Sequence, residues 1–411
     1  MNNFMKITSI WAREILDSRG NPTVEVDVAT ENAFASAAAP SGASTGTHEA
    51  VELRDGGTRY LGKGVINAVD NINNIVAPAL LGMDPTEQEK IDEKLKQLDG
   101  TPFKSKLGAN ATVAVSMAVL RAAAASEGKM LHEYLGGDTL PFALFNIING
   151  GKHAGNGLAI QEFMIIPEAD IFSERLQMAS EIYHILGKRL VDKYGPTAKN
   201  VGDEGGYAPP INNAYQALDA IVGAIEEAGY KDACSLALDA AASSFYDSKK
   251  GTYSIDSKHL KESELVDYYL DLTKAYPIKS IEDPFDEESF EAFAVLHKEA
   301  RNIQIVGDDL TVTNVKRLKE AISHKSINAL LLKLNQIGTV TETLNAVSLC
   351  KKAGLNIVVS HRSGETEDCF ISDFTVGINA KQIKTGAPAR GERTAKYNQL
   401  LRIEERFGLS G

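Results

Sequence analysis

Cysteine is scarce in this chain of 411 residues: Cys234, Cys350 and Cys369 are odd in number and widely separated. No CxxC pair and no zinc-type spacing occurs, so a disulfide framework and a thiolate metal site are both excluded as readings. Basic charge is also in deficit. Against 55 Asp and Glu there are 43 Lys and Arg, a formal net charge of −12. That balance disfavours a nucleic-acid or anionic-membrane partner. No uninterrupted apolar run reaches membrane-spanning length, and the opening MNNFMKITSIWARE has no long apolar segment of a secretory signal. Nucleotide motifs fail too. There is no GxGxxG, and the loop Gly57 to Lys63 is followed by Gly64 where a phosphate loop needs Ser or Thr. An NTPase and a dehydrogenase are thereby set aside. What remains is a reduced, cytoplasmic globular protein, long enough for a full barrel plus a smaller domain.

The C-terminal half shows what that barrel carries. A series of short apolar runs each ends in a charged or polar group. SLALD ends in Asp239, IKSIED in Glu282 and Asp283, and IQIVGDD in Asp308 and Asp309. ALLLK ends in Lys333, NIVVSH in His361 and QIK in Lys384. After a longer first gap these groups recur about every 25 residues, the length of a strand, a return helix and two loops. Runs this short and this rich in branched residues suit strands buried on both faces. In a closed β/α barrel all such C-terminal ends open on one mouth, where active sites lie. Three carboxylates, two lysines and a histidine at one mouth predict a metal-assisted catalytic site.

The first third has a different texture. TVEVDV alternates strictly, as a half-exposed antiparallel strand does. Asp84-Pro85-Thr86-Glu87 predicts a helix N-cap, with the helix running to Gly100. NATVAVSMAVLRAAAASEG predicts a buried helix stopping at Gly128. Residues 1–137 are therefore expected to form an α+β domain, and 138–411 a barrel of the (β/α)8 type. The runs FNIING and EFMIIPE stand too close together for a helix between them. The second should run antiparallel to the first, so the barrel begins irregularly.

The acids can each be read as plain helix caps or solvated loop residues. On separate strands of one barrel, Asp239, Glu282 and Asp308 instead offer hard oxygen ligands suited to magnesium. Asp283 and Asp309 are read as supporting or capping acids. Lys333 and Lys384 at the ends of buried strands need anionic partners or shifted pKa values; they are structural ion pairs or a base. Ser360 to Glu365, SHRSGE, is a candidate anion site, since an Arg fork matches phosphate. GDEGG (Gly202 to Gly206) could hold Glu204 as a rigidly aimed acid or be only a turn. GGKHAGNG precedes Gln161-Glu162 and carries His153; SGASTG (Ser41 to Gly46) has the composition of a mobile lid or of a plain loop.

Taken together, DSRGNPTVEVDV, PSGASTG, QEFMIIP, NVGDEGGYAP, SIEDPF, GDDLTVTN, LLLKLNQIGT, SHRSGETED and KTGAPARGER resemble the enolase family over essentially the whole chain, in order. The superfamily's sites generally pair a Lys or His base with one or two magnesium ions. The resemblance implies reversible dehydration of 2-phosphoglycerate to phosphoenolpyruvate, in glycolysis and gluconeogenesis. It implies a first magnesium on Asp239, Glu282 and Asp308, and a second held by Ser44 with the substrate phosphate. Lys333 would be the base and Glu204 the acid, with Glu162 assisting. Gln161 and Lys384 would meet the carboxylate end; Arg362, Ser363, His361 and His153 would lie around the rest of the substrate. A homodimer or larger assembly, up to an octamer, is also implied. Sugar-acid dehydratases and racemases of the same superfamily typically lack the SGASTG and SHRSGETED segments, both present here. A non-catalytic relative is opposed by the intact Lys333, Glu204 and metal carboxylates. A secondary cell-surface or secreted location is not readable from the sequence.

Overall fold

The computed structural model describes residues 5–43 and 46–408. The chain opens with an antiparallel meander, β1 (Ile7–Leu16), β2 (Pro22–Thr30) and β3 (Phe34–Ala38). Asp17 sets the first turn. Its Oδ1 accepts the N–H groups of Arg19 and Asn21, at 2.8 and 2.9 Å. The alternation of β2 does what its period requires: Val24, Val26 and Val28 are fully buried, while Glu25 and Asp27 face out to the Arg13 guanidinium. The valine face packs on the helix Ala109–Ser126. That helix is apolar and long enough to cross a membrane by length and composition alone, yet it is enclosed by protein as a core helix. Its many Ala residues let strand and helix backbones approach closely.

One local expectation fails. Asp84 does not cap the next helix, which spans Gln88–Asp99. Asp84 instead accepts from Thr86, backbone and hydroxyl, at 2.9 and 2.7 Å, making a separate turn one step earlier. A short polar side chain satisfied so locally has nothing left for the helix proper. The helix does end at Gly100, which takes the left-handed conformation at φ 71°.

The barrel strands are β4 (Phe142–Asn149), β5 (Glu162–Pro167) and β6 (Cys234–Asp239). A small three-stranded sheet follows: β7 (Tyr246–Asp247), β8 (Thr252–Ile255) and β9 (Lys258–Leu260). It occupies the longer first gap of the sequence pattern. Then come β10 (Ile278–Glu282), β11 (Gln304–Gly307), β12 (Ala329–Leu332), β13 (Asn356–Ser360) and β14 (Gln382–Lys384). The closed order is β10-β11-β12-β13-β14-β4-β5-β6. As expected, β5 is antiparallel to both neighbours, pairing Asn149 with Glu162 and Glu162 with Asp239. Reversal puts the first residue of β5 at the rim where the other strands deliver their last. Glu162 thus reaches the mouth.

Strand parity does the rest. Leu144, Met164, Ile166 and Ala237 form one buried cluster, and Val306, Ala329, Leu331 and Val358 a second. Their neighbours Phe145, Ile165, Leu236, Leu330 and Val359 join the main core under the helices. Two residues beyond Ala237, Val306 and Leu331 stand Asp239, Asp308 and Lys333, on the inward parity.

The small domain is tied to the barrel loops. Ser41 and Gly364 exchange backbone hydrogen bonds at 2.8 Å, and Lys104 meets Glu342 at 2.8 Å. Asp92, fully buried, accepts from Ser116 Oγ (2.6 Å), the Thr341 backbone N–H (2.8 Å) and the Thr341 hydroxyl (2.6 Å). Thr341 begins a barrel helix, so this carboxylate joins the two parts. Asp92→Ala should leave those donors unpaired and lower stability by about 1–3 kcal/mol. Thermal unfolding checks this: an unchanged midpoint would mean that the clamp contributes nothing.

Candidate active site

At the mouth, Lys384 from β14 is almost fully enclosed. Its Nζ lies 2.9 Å from Asp239 Oδ2, 2.8 Å from Glu282 Oε2 and 3.0 Å from Glu162 Oε1. Burial alone would drive the ammonium to give up its proton. The three carboxylates outweigh it and hold the pKa well above the ordinary lysine value. Lys333 contacts Asp308 directly. Burial is the largest influence on the Lys333 pKa and lowers it, but the Asp308 and Glu282 carboxylates together outweigh it, and the net direction is up.

The other Asp308 oxygen accepts from Gln336 at 2.8 Å. Asp239 takes the Ala241 N–H at 2.9 Å and the Gln161 amide at 3.3 Å. Asp283 accepts the backbone N–H groups of Asp308 (2.9 Å) and Asp309 (2.7 Å), holding that turn as the sequence reading proposed for a supporting acid.

Glu204 enters from a separate turn. The turn Gly202–Gly206 is closed by backbone bonds and needs Gly205 at φ 85°. This aims the Glu204 side chain inward, where it accepts from Asn146 at 2.9 Å. His153 Nδ1 and His361 Nε2 stand 3.6 and 3.5 Å from Glu204 Oε1. One ligand atom each of His153, Glu162 and Glu204 lies within 4.8 Å of the others. The two glutamates titrate apart. Burial, then the charge of Glu204, pushes Glu162 well above the usual carboxylate range. Burial, the largest influence, also raises Glu204, but His153 and the charge of Arg393 are among the groups that act against it, and the net direction is well below the usual range. His361 is lowered well below its ordinary value, chiefly by burial, so its imidazole is neutral.

At the rim, the Arg362 guanidinium forks onto Glu49 at 2.9 and 3.0 Å and donates to Asn335 at 2.9 Å. Ser363 Oγ accepts from the Ala43 N–H at 2.7 Å and from Arg19 at 3.3 Å. The strand expected to deliver His361 stops one residue short. Ser360 takes the inward position of β13, and His361 follows it, its N–H bonded to the Lys384 carbonyl at 2.9 Å.

One pocket is lined by His153, Gln161, Glu162, Glu204, Asp239, Asp308, Lys333, His361, Arg362, Ser363 and Lys384, among others. Glu282 lies behind that wall and reaches it through Lys384. Ser44 lies outside the described residues. Sequence reasoning missed Glu49, Asn146, Asn335 and Arg393, all bonded to site residues. Asn335 stands two places after Lys333, and Arg393 lies within KTGAPARGER, where position in a motif was the available signal.

The donor set fits a divalent cation. Glu162, Glu204, Asp239, Glu282 and Asp308 are all buried oxygen donors gathered at one mouth. Among the described residues, Glu282 Oε1 is a buried oxygen without a hydrogen-bond partner. Hard oxygen donors suit magnesium rather than zinc or copper.

Comparison with known proteins agrees with this geometry. Residues 7–135 match the family described as enolase, N-terminal domain, and residues 137–411 the one described as enolase, C-terminal TIM barrel domain. An enolase of Methanocaldococcus jannaschii is 57% identical over 415 residues, covering 100% of this chain and 97% of its own. An enolase of Methanococcoides burtonii is 60% identical over 408 residues, covering 98% and 96%. That of Pyrococcus furiosus is 57% identical over 412 residues, also covering 98% and 96%. With both halves matched and identity this high along the full length, the chain belongs to the enolase family.

Proposed function

We propose that Lys333 takes the C2 proton of 2-phosphoglycerate and that Glu204 protonates the hydroxyl leaving C3. The reaction itself is the family's: a hydro-lyase step of glycolysis that dehydrates 2-phosphoglycerate to phosphoenolpyruvate. The observation that supports the residue roles is the presence of a lysine, a carboxylate and an Arg-Ser pair in the lining of one pocket. A base and an acid in one pocket suit elimination across two adjacent carbons.

Lys333 becomes a base as Asp308 turns away from it. Burial, Arg362 and Lys384 all act against its proton, and Asp308 is the first group acting the other way. Glu204 would receive its proton from Glu162, the neighbour whose carboxyl is pushed above the usual range. Lys384, fixed as an ammonium, and Gln161 would hold the substrate carboxylate. Arg362 and Ser363 would take the phosphate, with His153 closing from its loop and His361 beside the leaving group. Magnesium is the family's metal; bound, it supplies positive charge against the second negative charge that C2 deprotonation places on the substrate carboxylate. Asp239, Glu282 and Asp308 would hold the first ion, and Ser44 with the phosphate a second.

Family membership also supports reading residues 1–137 and 138–411 as the two domains, a homodimer or larger assembly, and a cytoplasmic location.

Two outcomes test the roles. Lys333→Ala should stop exchange of the C2 proton with solvent deuterium, and Glu204→Gln should slow dehydration far more than that exchange. Each loss should reach at least about a hundredfold. Exchange surviving in Lys333→Ala but lost in Glu204→Gln would reverse the assignment. For the metal, Asp308→Asn should weaken magnesium binding in calorimetry while circular dichroism stays that of the parent. Unchanged affinity would remove Asp308 from the ligand set.

A further inference from the structure

Arg393 is fully buried at the start of the helix Gly391–Arg406. A guanidinium so enclosed is costly unless its donors find acceptors. Nη1 donates to the Arg362 carbonyl at 2.7 Å, and Nη2 to the carbonyls of Ser363 at 2.7 Å and Asp203 at 2.9 Å. Nη1 also meets His361 Nδ1 at 2.5 Å. The ion-pair contact with Glu392 is longer, 3.4 Å. One side chain thus spans the two loops that carry the phosphate residues and the acid.

We propose that Arg393 is a positioning residue for the reaction, locking His361 in the tautomer with its proton on Nε2 and fixing the Arg362-Ser363 backbone against the Glu204 turn.

The tautomer follows from donor chemistry. A guanidinium has five N–H groups and no acceptor, so the ring nitrogen facing it must present a lone pair. A neutral imidazole then carries its proton on the far nitrogen. That nitrogen is the one 3.5 Å from Glu204 Oε1. An imidazolium would set N–H against N–H at the Arg393 contact. Geometry gives the second role. Asp203 immediately precedes the acid, and the other two carbonyls belong to the rim residues themselves. Three carbonyl dipoles leave the net charge of Arg393 in place behind an anion-binding loop.

The proposal rests on the roles given above to Glu204 and the rim, but its first test does not. Long-range proton–nitrogen NMR of the intact wild-type enzyme, labelled at histidine, should show His361 neutral with its proton on Nε2. A proton on Nδ1, or an imidazolium at neutral pH, would overturn the lock, whatever the substrate is. In Arg393→Met, His361 should lose the single tautomer, and kcat/KM for 2-phosphoglycerate should fall by about 100-fold, the scale of a small misplacement near the chemistry. Arg393→Lys keeps charge and one donor, and should restore the tautomer and most of KM but not kcat. A folded Arg393→Met enzyme that keeps the Nε2 tautomer and stays within about twofold of wild type in kcat/KM would sink the proposal. If Arg393→Met fails to fold, the wild-type spectrum and Arg393→Lys still decide it. A wild-type enzyme inert on 2-phosphoglycerate would count against the reaction assignment and leave the tautomer result standing.

Discussion

The ammonium of Lys384 is the constraint on which the barrel mouth depends. Strand β14 carries this Lys384, and β5, β6 and β10 each bring one carboxyl group to it: Glu162, Asp239 and Glu282. Carboxylates packed this closely without a cation would repel and protonate. Removing a cation from a buried cluster strands its partners, so such a contact is far more consequential broken than its net contribution to stability suggests. Barrel closure and site assembly are therefore one event. The strand β14 is three residues long, yet it sits between β13 and β4 and delivers the charge that makes the rest of the acids tolerable.

That dependence explains the reversed strand. A parallel β5 would present its last residue, Pro167, at the mouth in place of Glu162. Running it backwards brings Glu162 opposite Asp239 in the ladder. The reversal leaves no room for a return helix between β4 and β5. The intervening segment can then be a loop carrying His153 and Gln161, both of which line the pocket.

Much of this was legible in the sequence, because strand period and strand spacing are local properties. Asp239, Asp308 and Lys333 follow inward apolar residues by two places, and the short interval before EFMIIPE announces the reversal. Other features were not legible. The Asp84 motif contains the right residue types for a cap, but its side chain is satisfied within its own turn. Glu49, Asn146 and Arg393 have partners on distant segments, and neither a strand nor a helix period names such a partner. Ser44 lies beyond what the described residues address.

Glu162 and Glu204 show why a list of acids is not yet a mechanism. Both are buried, and both belong to one cluster with His153. Glu162 faces Lys384 on one side and Glu204 on the other, and burial dominates, so its carboxyl is pushed well above the usual range. Glu204 faces His153 and the field of Arg393, which act against the same burial, and its net direction is the opposite. Two carboxyls of one cluster are thus set apart by their neighbours alone. Under the proposed roles, Glu162 is the proton donor in reserve and Glu204 the group that passes a proton to the leaving hydroxyl.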